Sequence, residues 1–227
     1  MIHFILAVAL ARADVLISAG HEGRPASCAR YPKRACNLGA AGERDWTPVV
    51  ADEAARVLRA HGVTVLREAA DFDGSYDVDA AIFIHFDGST SPCSSGASIG
   101  YHEPRFHRAA QEWRALYSRY FPFGFQPDDF TKGLRDYYAF RQISARDASL
   151  VLELGELTCT AQRSWLAPRL DFDGDLLAYF LSNVIGKGDV PRPSANIGTH
   201  APSAFVRTSG SGRIRSSSPT LHSSSKR

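Results

Sequence analysis

Three short apolar runs constrain this chain more than any other feature. They are Val15-Leu16-Ile17-Ser18-Ala19, Ala80-Ala81-Ile82-Phe83-Ile84 and Ser149-Leu150-Val151-Leu152. None alternates apolar with polar residues, as a half-exposed strand would. A continuous run of this length, bounded by turn residues, reads as a strand buried on both faces, and such strands belong to parallel sheets covered by helices. The segments between the runs agree. Thr47 is a good N-cap and Pro48 suits the first helical position; Val50, Ala54, Val57, Leu58 and His61 recur at helical spacing, and Gly62 is a stop. Val63–Leu66 and Ala97–Tyr101 read as further strands. Phe106–Tyr120 is an amphipathic helix, Lys132–Phe140 a short one, and a last helix runs from about Leu170 or Asp175 to Val184. The expected architecture is α/β: a mixed, mostly parallel central sheet with helices on both faces, in a single domain.

The ends of the chain differ from the body. Phe4–Ala11 is apolar and Ala11-Arg12-Ala13 is a small-x-small cleavage site, so residues 1–13 read as a signal peptide, although Met1-Ile2-His3 carries no Lys or Arg. The competing reading makes Ile2–Leu10 part of a first buried element. The apolar stretch is too short to span a bilayer as a helix. Residues 14–187 form the expected folded body. Residues 188–227 are rich in Ser, Pro, Gly and Arg without periodicity, which reads as a disordered tail. The formal charge is +2, yet six basic residues and no acidic one follow Val190, so the rest of the chain stands at −4. A mildly acidic body argues against specific nucleic-acid binding. The basic tail is suited to contact anionic envelope polymers, or is an inert extension. Of the four cysteines, Cys28 and Cys36 lie in one loop and suit a disulfide in an exported protein; with Cys93 and Cys159 three pairings are open.

Each apolar run ends in a residue with chemistry. The first runs into Gly20-His21-Glu22-Gly23, the second into His85, and the third carries Glu153. Parallel sheets present ligand-binding groups at the carboxyl ends of their strands, so residues far apart in sequence converge there. A lone histidine at a strand end is usually a hydrogen-bonded structural residue; two of them beside a carboxylate suit a metal site. Gly-His-x-Gly lacks the G-x-G-x-x-G spacing of a dinucleotide site.

These motifs, in this order, resemble the zinc-dependent N-acetylmuramoyl-L-alanine amidases of the amidase-3 type. Gly20-His21-Glu22-Gly23 is similar to the family's first metal motif. Counting back from Leu58-Arg59-Ala60-His61-Gly62 lands the family's metal-binding Glu on Glu43. Val63–Arg67 resembles the next strand, Ala80–His85 the strand bearing the second metal histidine, and Gly96–Tyr101 the one after. Val151–Thr158 is similar to the segment with the catalytic Glu, which falls on Glu153. The resemblance covers roughly Val15 to Val184. It implies one Zn²⁺ held by His21, Glu43 and His85, with Glu153 as catalytic base. Glu53, on the flank of the helix, is the rival third ligand. The chain departs from the pattern in a long Cys-bearing loop between His21 and Glu43, in Pro48, and in Asp87, Glu156 and Cys159 where the family has other residues.

The implied activity is hydrolysis of the amide between the lactyl group of N-acetylmuramic acid and L-alanine in peptidoglycan, outside the cytoplasm. Two alternatives are another zinc amidohydrolase or peptidase on the same scaffold and a non-catalytic wall-binding module. Arg141 is the cation that would pair with Glu153 if that residue were structural, and Glu156 is the substitute base. His102 and His107 read as surface residues. The aromatic loop Tyr120–Phe125 reads as packing, with an apolar wall for a glycan or peptide as the other possibility.

Overall fold

The computed structural model describes residues 11–30 and 36–194. Most of the expected signal segment and most of the tail lie outside the described residues. Five strands form one sheet in the order β2-β1-β3-β5-β4. They are β1 (Ala11–Ala19), β2 (Val65–Glu68), β3 (Tyr76–Asp87), β4 (Ser98–Gly100) and β5 (Ile143–Glu156). β2, β1, β3 and β5 run parallel, and β4 pairs antiparallel with β5 at the edge. This is the mixed, mostly parallel sheet expected from the apolar runs.

The three central strands extend beyond those runs. β1 starts at Ala11, and Ala11, Arg12 and Ala13 pair with Tyr76, Asp77 and Val78. The strand therefore includes the small-x-small segment. β3 and β5 begin in mixed, partly exposed stretches, Tyr76–Asp79 and Ile143–Asp147, because pairing continues past the point where burial on both faces demands apolar side chains.

The helices are α1 (Glu43–Ala60), α2 (His107–Tyr117), α3 (Lys132–Arg135), α4 (Thr160–Leu166) and α5 (Leu170–Ile185). α1 and α5 pack on each other, α1 also on β1, β2 and β3, and α5 on β3 and β5. α2 joins them through Trp113, whose ring lies 5.3 Å from that of Phe180. The opposite face is covered by Phe72 and by the segment from α3 through a 3-10 turn at Tyr138–Arg141. There Phe83 meets Tyr137 at 5.1 Å and Phe140 at 5.9 Å between ring centroids.

Two features correct the sequence reading. α1 starts at Glu43, not after Thr47, and Pro48 lies inside it. A proline this near the start forgoes only one helical hydrogen bond, to the carbonyl of Arg44. Thr47 is not the cap: its hydroxyl donates to the carbonyls of Gly20, at 2.7 Å, and Glu43. Entry to the helix is made instead by Gly42, whose φ of 94° only glycine adopts readily. The short helix α4 was not foreseen, since its seven residues carry too few apolar positions to show a period. At the far end of α1, Gly62 (φ 77°) is the expected stop, and Val63 N donates to Leu58 O.

Both disulfides form near the carboxyl edge of the sheet. Cys28 pairs with Cys36 and Cys93 with Cys159. The second ties the loop leaving β3 to the segment leaving β5.

Candidate metal centre

The site stands at the carboxyl ends of β1, β3 and β5, where parallel strands expose their last residues. His21 follows β1 in a turn, with a left-handed φ of 61°. That conformation is uncommon outside glycine, though histidine tolerates it better than most residues. His85 lies near the end of β3. Glu43 is the first residue of α1, 43 positions into the chain but beside both histidines in space. His21 Nε2 is 3.3 Å and His85 Nδ1 2.9 Å from Glu43 Oε1. One ligand atom from each of the three residues lies within 4.8 Å of the others, and all three residues are buried.

The donor set fits Zn²⁺: two imidazoles and one carboxylate leave a fourth tetrahedral position open. The remaining atoms of the candidate ligands are held by protein. Glu43 Oε2 accepts from Ala40 N at 2.8 Å, and Oε1 from Phe86 N at 3.1 Å. His21 Nδ1 is 2.7 Å from the carbonyl of Asn37, and His85 Nε2 is 3.0 Å from the hydroxyl of Tyr137. The atoms that point away from the centre thus all have partners, and Glu43 Oε1, which faces both histidines, is held by Phe86 N as well.

Glycine makes the close approach possible. A Cβ at Gly20 would lie 2.3 Å from His85 Cε1 and 2.6 Å from the carbonyl of Ile84. A Cβ at Gly39 would lie 2.0 Å from Glu43 Oε2. Glycine before the first histidine is therefore a packing requirement imposed by the second. The long loop between His21 and Glu43 serves the same end. Arg24 forms a bidentate pair with Asp71 and donates to Asn37 O at 2.6 Å. Arg67 binds both Glu22 and Asp52, joining the His21 turn to α1.

Glu153 pairs in register with His85 on one side and Ser98 on the other, so the three side chains share one face of the sheet. Its Oε2 is buried and has no hydrogen-bond partner among the described residues, and neither has Ser98 Oγ. Burial, and then the charges of Glu43 and Asp87, push its carboxyl well above the ordinary value. Arg141 is exposed and does not neutralise it. Glu43 behaves oppositely. Burial alone would raise it, but the hydrogen bonds and charge of His21 and His85 outweigh that and hold it at about 2. Two carboxylates in one site are thus pushed apart, the pattern in which one stays ionised and the other can carry a proton.

Glu156 is not a second base. A bulge beside Gly155 lets His85 pair with Glu153 and Asp87 with Glu156. Glu156 then turns to the β3–β4 loop, accepting from Cys93 N, Ser95 N and Thr158 Oγ1. With the Cys93–Cys159 bridge it fixes that rim. Glu53 is not at the centre either. It lies ten residues along α1, roughly 15 Å away at helical rise, paired with Arg56 and packed on Gly174 of α5. His102 and His107 are exposed. The aromatic loop is packing: the ring of Phe121 lies 5.2 Å from Tyr117 and 5.6 Å from Trp165. Tyr137 and Asn37 escaped the sequence reading, since neither lies in a motif.

No family model matches the chain, and no curated protein does. Solved structures do match. The catalytic domain of CwlV, an N-acetylmuramoyl-L-alanine amidase from Bacillus (Paenibacillus) polymyxa var. colistinus, aligns with a TM-score of 0.56 at 14% identity, over 77% of this chain and 99% of that one. The fold is that of an amidase catalytic domain. The amidase Ami1 from Mycobacterium smegmatis gives 0.58 at 17% identity, over 77% and 97% of the two chains. AmiC2 of Nostoc punctiforme gives 0.52 at 17%, over 78% and 97%. At such identities the likeness is one of backbone, so the amidase fold supplies a frame and the residues must supply the chemistry.

Proposed function

We propose that this protein is a zinc-dependent peptidoglycan amidase that cleaves the amide between the lactyl group of N-acetylmuramic acid and L-alanine. One observation carries the reading: His21, Glu43 and His85 converge within ligand distance beside Glu153, on an amidase fold.

In this reading His21 Nε2, Glu43 Oε1 and His85 Nδ1 hold the ion. When bound, Zn²⁺ supplies Lewis acidity, which lowers the pKa of water and polarises an amide carbonyl. Glu153 accepts a proton from the attacking water and delivers it to the departing amine nitrogen, so the C–N bond breaks as a C–O bond forms. Its raised affinity for a proton suits both halves of that transfer. Ala40 N and Phe86 N fix the carboxylate of Glu43, so it need not reorganise during turnover. The Glu156 clamp and the Cys93–Cys159 bridge shape the rim over which the stem peptide would enter. That rim departs from the amidase-3 pattern at Asp87, Glu156 and Cys159.

The two disulfides support an oxidising compartment, in keeping with secretion or an envelope location. Removal of residues 1–13 would take with it Ala11, Arg12 and Ala13, the first residues of β1, and leave Asp14, which binds Thr64 and Lys187, at the head of the chain. The basic tail is assigned to weak contact with anionic wall polymers.

Elemental analysis of the purified protein, followed by digestion of peptidoglycan with and without chelator, tests the proposal. One zinc per chain and chelator-sensitive release of L-alanine amino termini are expected. Absence of metal, or cleavage indifferent to chelator, refutes it. Chelator-sensitive cleavage of another amide would move the chain to a different zinc amidohydrolase.

A further inference from the structure

Two adjacent tyrosines reach the outer nitrogens of both candidate metal histidines, one directly and one through a relay. Tyr137 Oη lies 3.0 Å from His85 Nε2, and the two rings meet edge to face with centroids 5.4 Å apart. The tyrosine is itself held by Phe83, Phe140 and Tyr138, with ring centroids at 5.1, 5.9 and 4.8 Å. Tyr138 Oη accepts from Asp71 N at 3.0 Å. Asp71 grips Arg24 by two hydrogen bonds, and Arg24 Nη1 donates to the Asn37 carbonyl that faces His21 Nδ1.

The physical need for this is specific. An imidazole binds a metal through a nitrogen lone pair, so its proton must sit on the other nitrogen. His85 Nδ1 is 2.9 Å from Glu43 Oε1, a distance at which an Nδ1–H would hydrogen-bond to the carboxylate and close the centre to an ion. An acceptor on the Nε2 side stabilises the competing tautomer, with the proton on Nε2 and the lone pair turned inward. Tyr137 Oη, 3.0 Å away, serves as that acceptor when its own proton goes to the Tyr138 hydroxyl, with which it also hydrogen-bonds. His21 is held differently: its Nδ1 lies 2.7 Å from the carbonyl of Asn37 and 2.9 Å from Arg24 Nη1, so Tyr138 reaches the ring through Asp71 and Arg24.

We propose that Tyr137 is a positioning residue that fixes the tautomer and ring orientation of His85, and that Tyr138 supports His21 through Asp71 and Arg24. This rests on the zinc reading of the site. Outer partners of metal-bound histidines typically contribute 10–100-fold in metal affinity.

The test is Zn²⁺ affinity of the full chain by competition with a chromophoric chelator, with the absorption spectrum of the Co²⁺ form as a report on ligand geometry. Tyr137→Phe keeps the ring contacts and loses only the hydroxyl. It should weaken Zn²⁺ binding about 10–100-fold and alter the Co²⁺ bands, while the metal-free melting temperature stays near wild type. Tyr138→Phe should weaken binding only a few-fold, roughly the value of one relayed hydrogen bond. Equal Zn²⁺ affinity and unchanged Co²⁺ bands in Tyr137→Phe overturn the proposal. A lower metal-free melting temperature with unchanged affinity overturns it too, since the hydroxyl would then be structural. A wild-type chain that binds no Zn²⁺ sinks the zinc reading itself, and so is distinguished from both.

Discussion

A single methyl group at Gly20 should cripple the site without altering any polar residue. In Gly20→Ala the new Cβ would lie 2.3 Å from His85 Cε1, 2.4 Å from Nδ1 and 2.6 Å from the carbonyl of Ile84. Ordinary contact begins at 3.4 Å, so the His85 ring must retreat by about 1 Å. The backbone oxygen cannot give way, because it already accepts from Gly20 N at 2.8 Å. The atom displaced is the one that faces Glu43. A misplacement of about 1 Å at a reacting centre costs on the order of 100-fold in rate. Overpacking adds a loss of roughly 1–3 kcal/mol in stability. Gly133→Ala is the control, since its Cβ meets only Thr131 Oγ1 at 3.7 Å. Release of amino termini from peptidoglycan and Zn²⁺ affinity by chelator competition read the outcome. Wild-type turnover and affinity in Gly20→Ala would refute the argument that the glycine exists to admit the His85 ring.

Other expectations follow from the same geometry. Glu153→Gln should lower turnover by about 10²–10⁴-fold with zinc retained; full activity would place the base elsewhere. Because the folded state holds the Glu153 proton above the ordinary 4.5, the wild-type chain loses stability as pH rises above that value, and Glu153→Gln does not. Urea denaturation of the metal-free proteins should therefore show the variant's advantage growing from pH 4.5 towards neutrality; a pH-independent difference would contradict the assignment. Saturating Zn²⁺ at about 100 times its Kd should stabilise the chain by about 2.7 kcal/mol and raise the melting temperature by roughly 5–10 °C. His85→Ala should abolish that rise in a calorimeter. By loop length, the Cys93–Cys159 bridge, spanning 66 positions, should contribute about 4 kcal/mol and the Cys28–Cys36 bridge, spanning 8, about 2.5 kcal/mol. Denaturation of the two double-Ser variants checks the order, which would fail if the short loop proved the more costly to open.

The apolar runs were enough to assign β1, β3 and β5 to one mostly parallel sheet and to put His21, His85 and Glu153 at its strand ends; that the three strands are neighbours came from the structure. The assignment follows from a local cause: a strand buried on both faces must be apolar throughout, so burial is written directly into adjacent residues. The helix stop at Gly62 is legible for a local reason too, since its left-handed φ of 77° is one glycine adopts readily. Glu43 came into the site only through the family resemblance, with Glu53 as its rival, and the local residue preferences did not place it there. Pro48 and Thr47 have local preferences that start α1 too late, and only the packing of α1 against β1 and α5 overrides them. The cysteine pairing, the clamp at Glu156, and the hold of Asn37 and Tyr137 on the histidines are contacts across 8 to 66 positions of chain. No periodicity records such contacts, because each depends on where separate elements come to rest. Strand identity and the chemistry at strand ends were therefore determined by sequence alone. The start of α1 that carries Glu43 to the histidines and the atoms that aim all three were decided by tertiary structure, where one glycine leaves room for a ring that begins 65 residues further on.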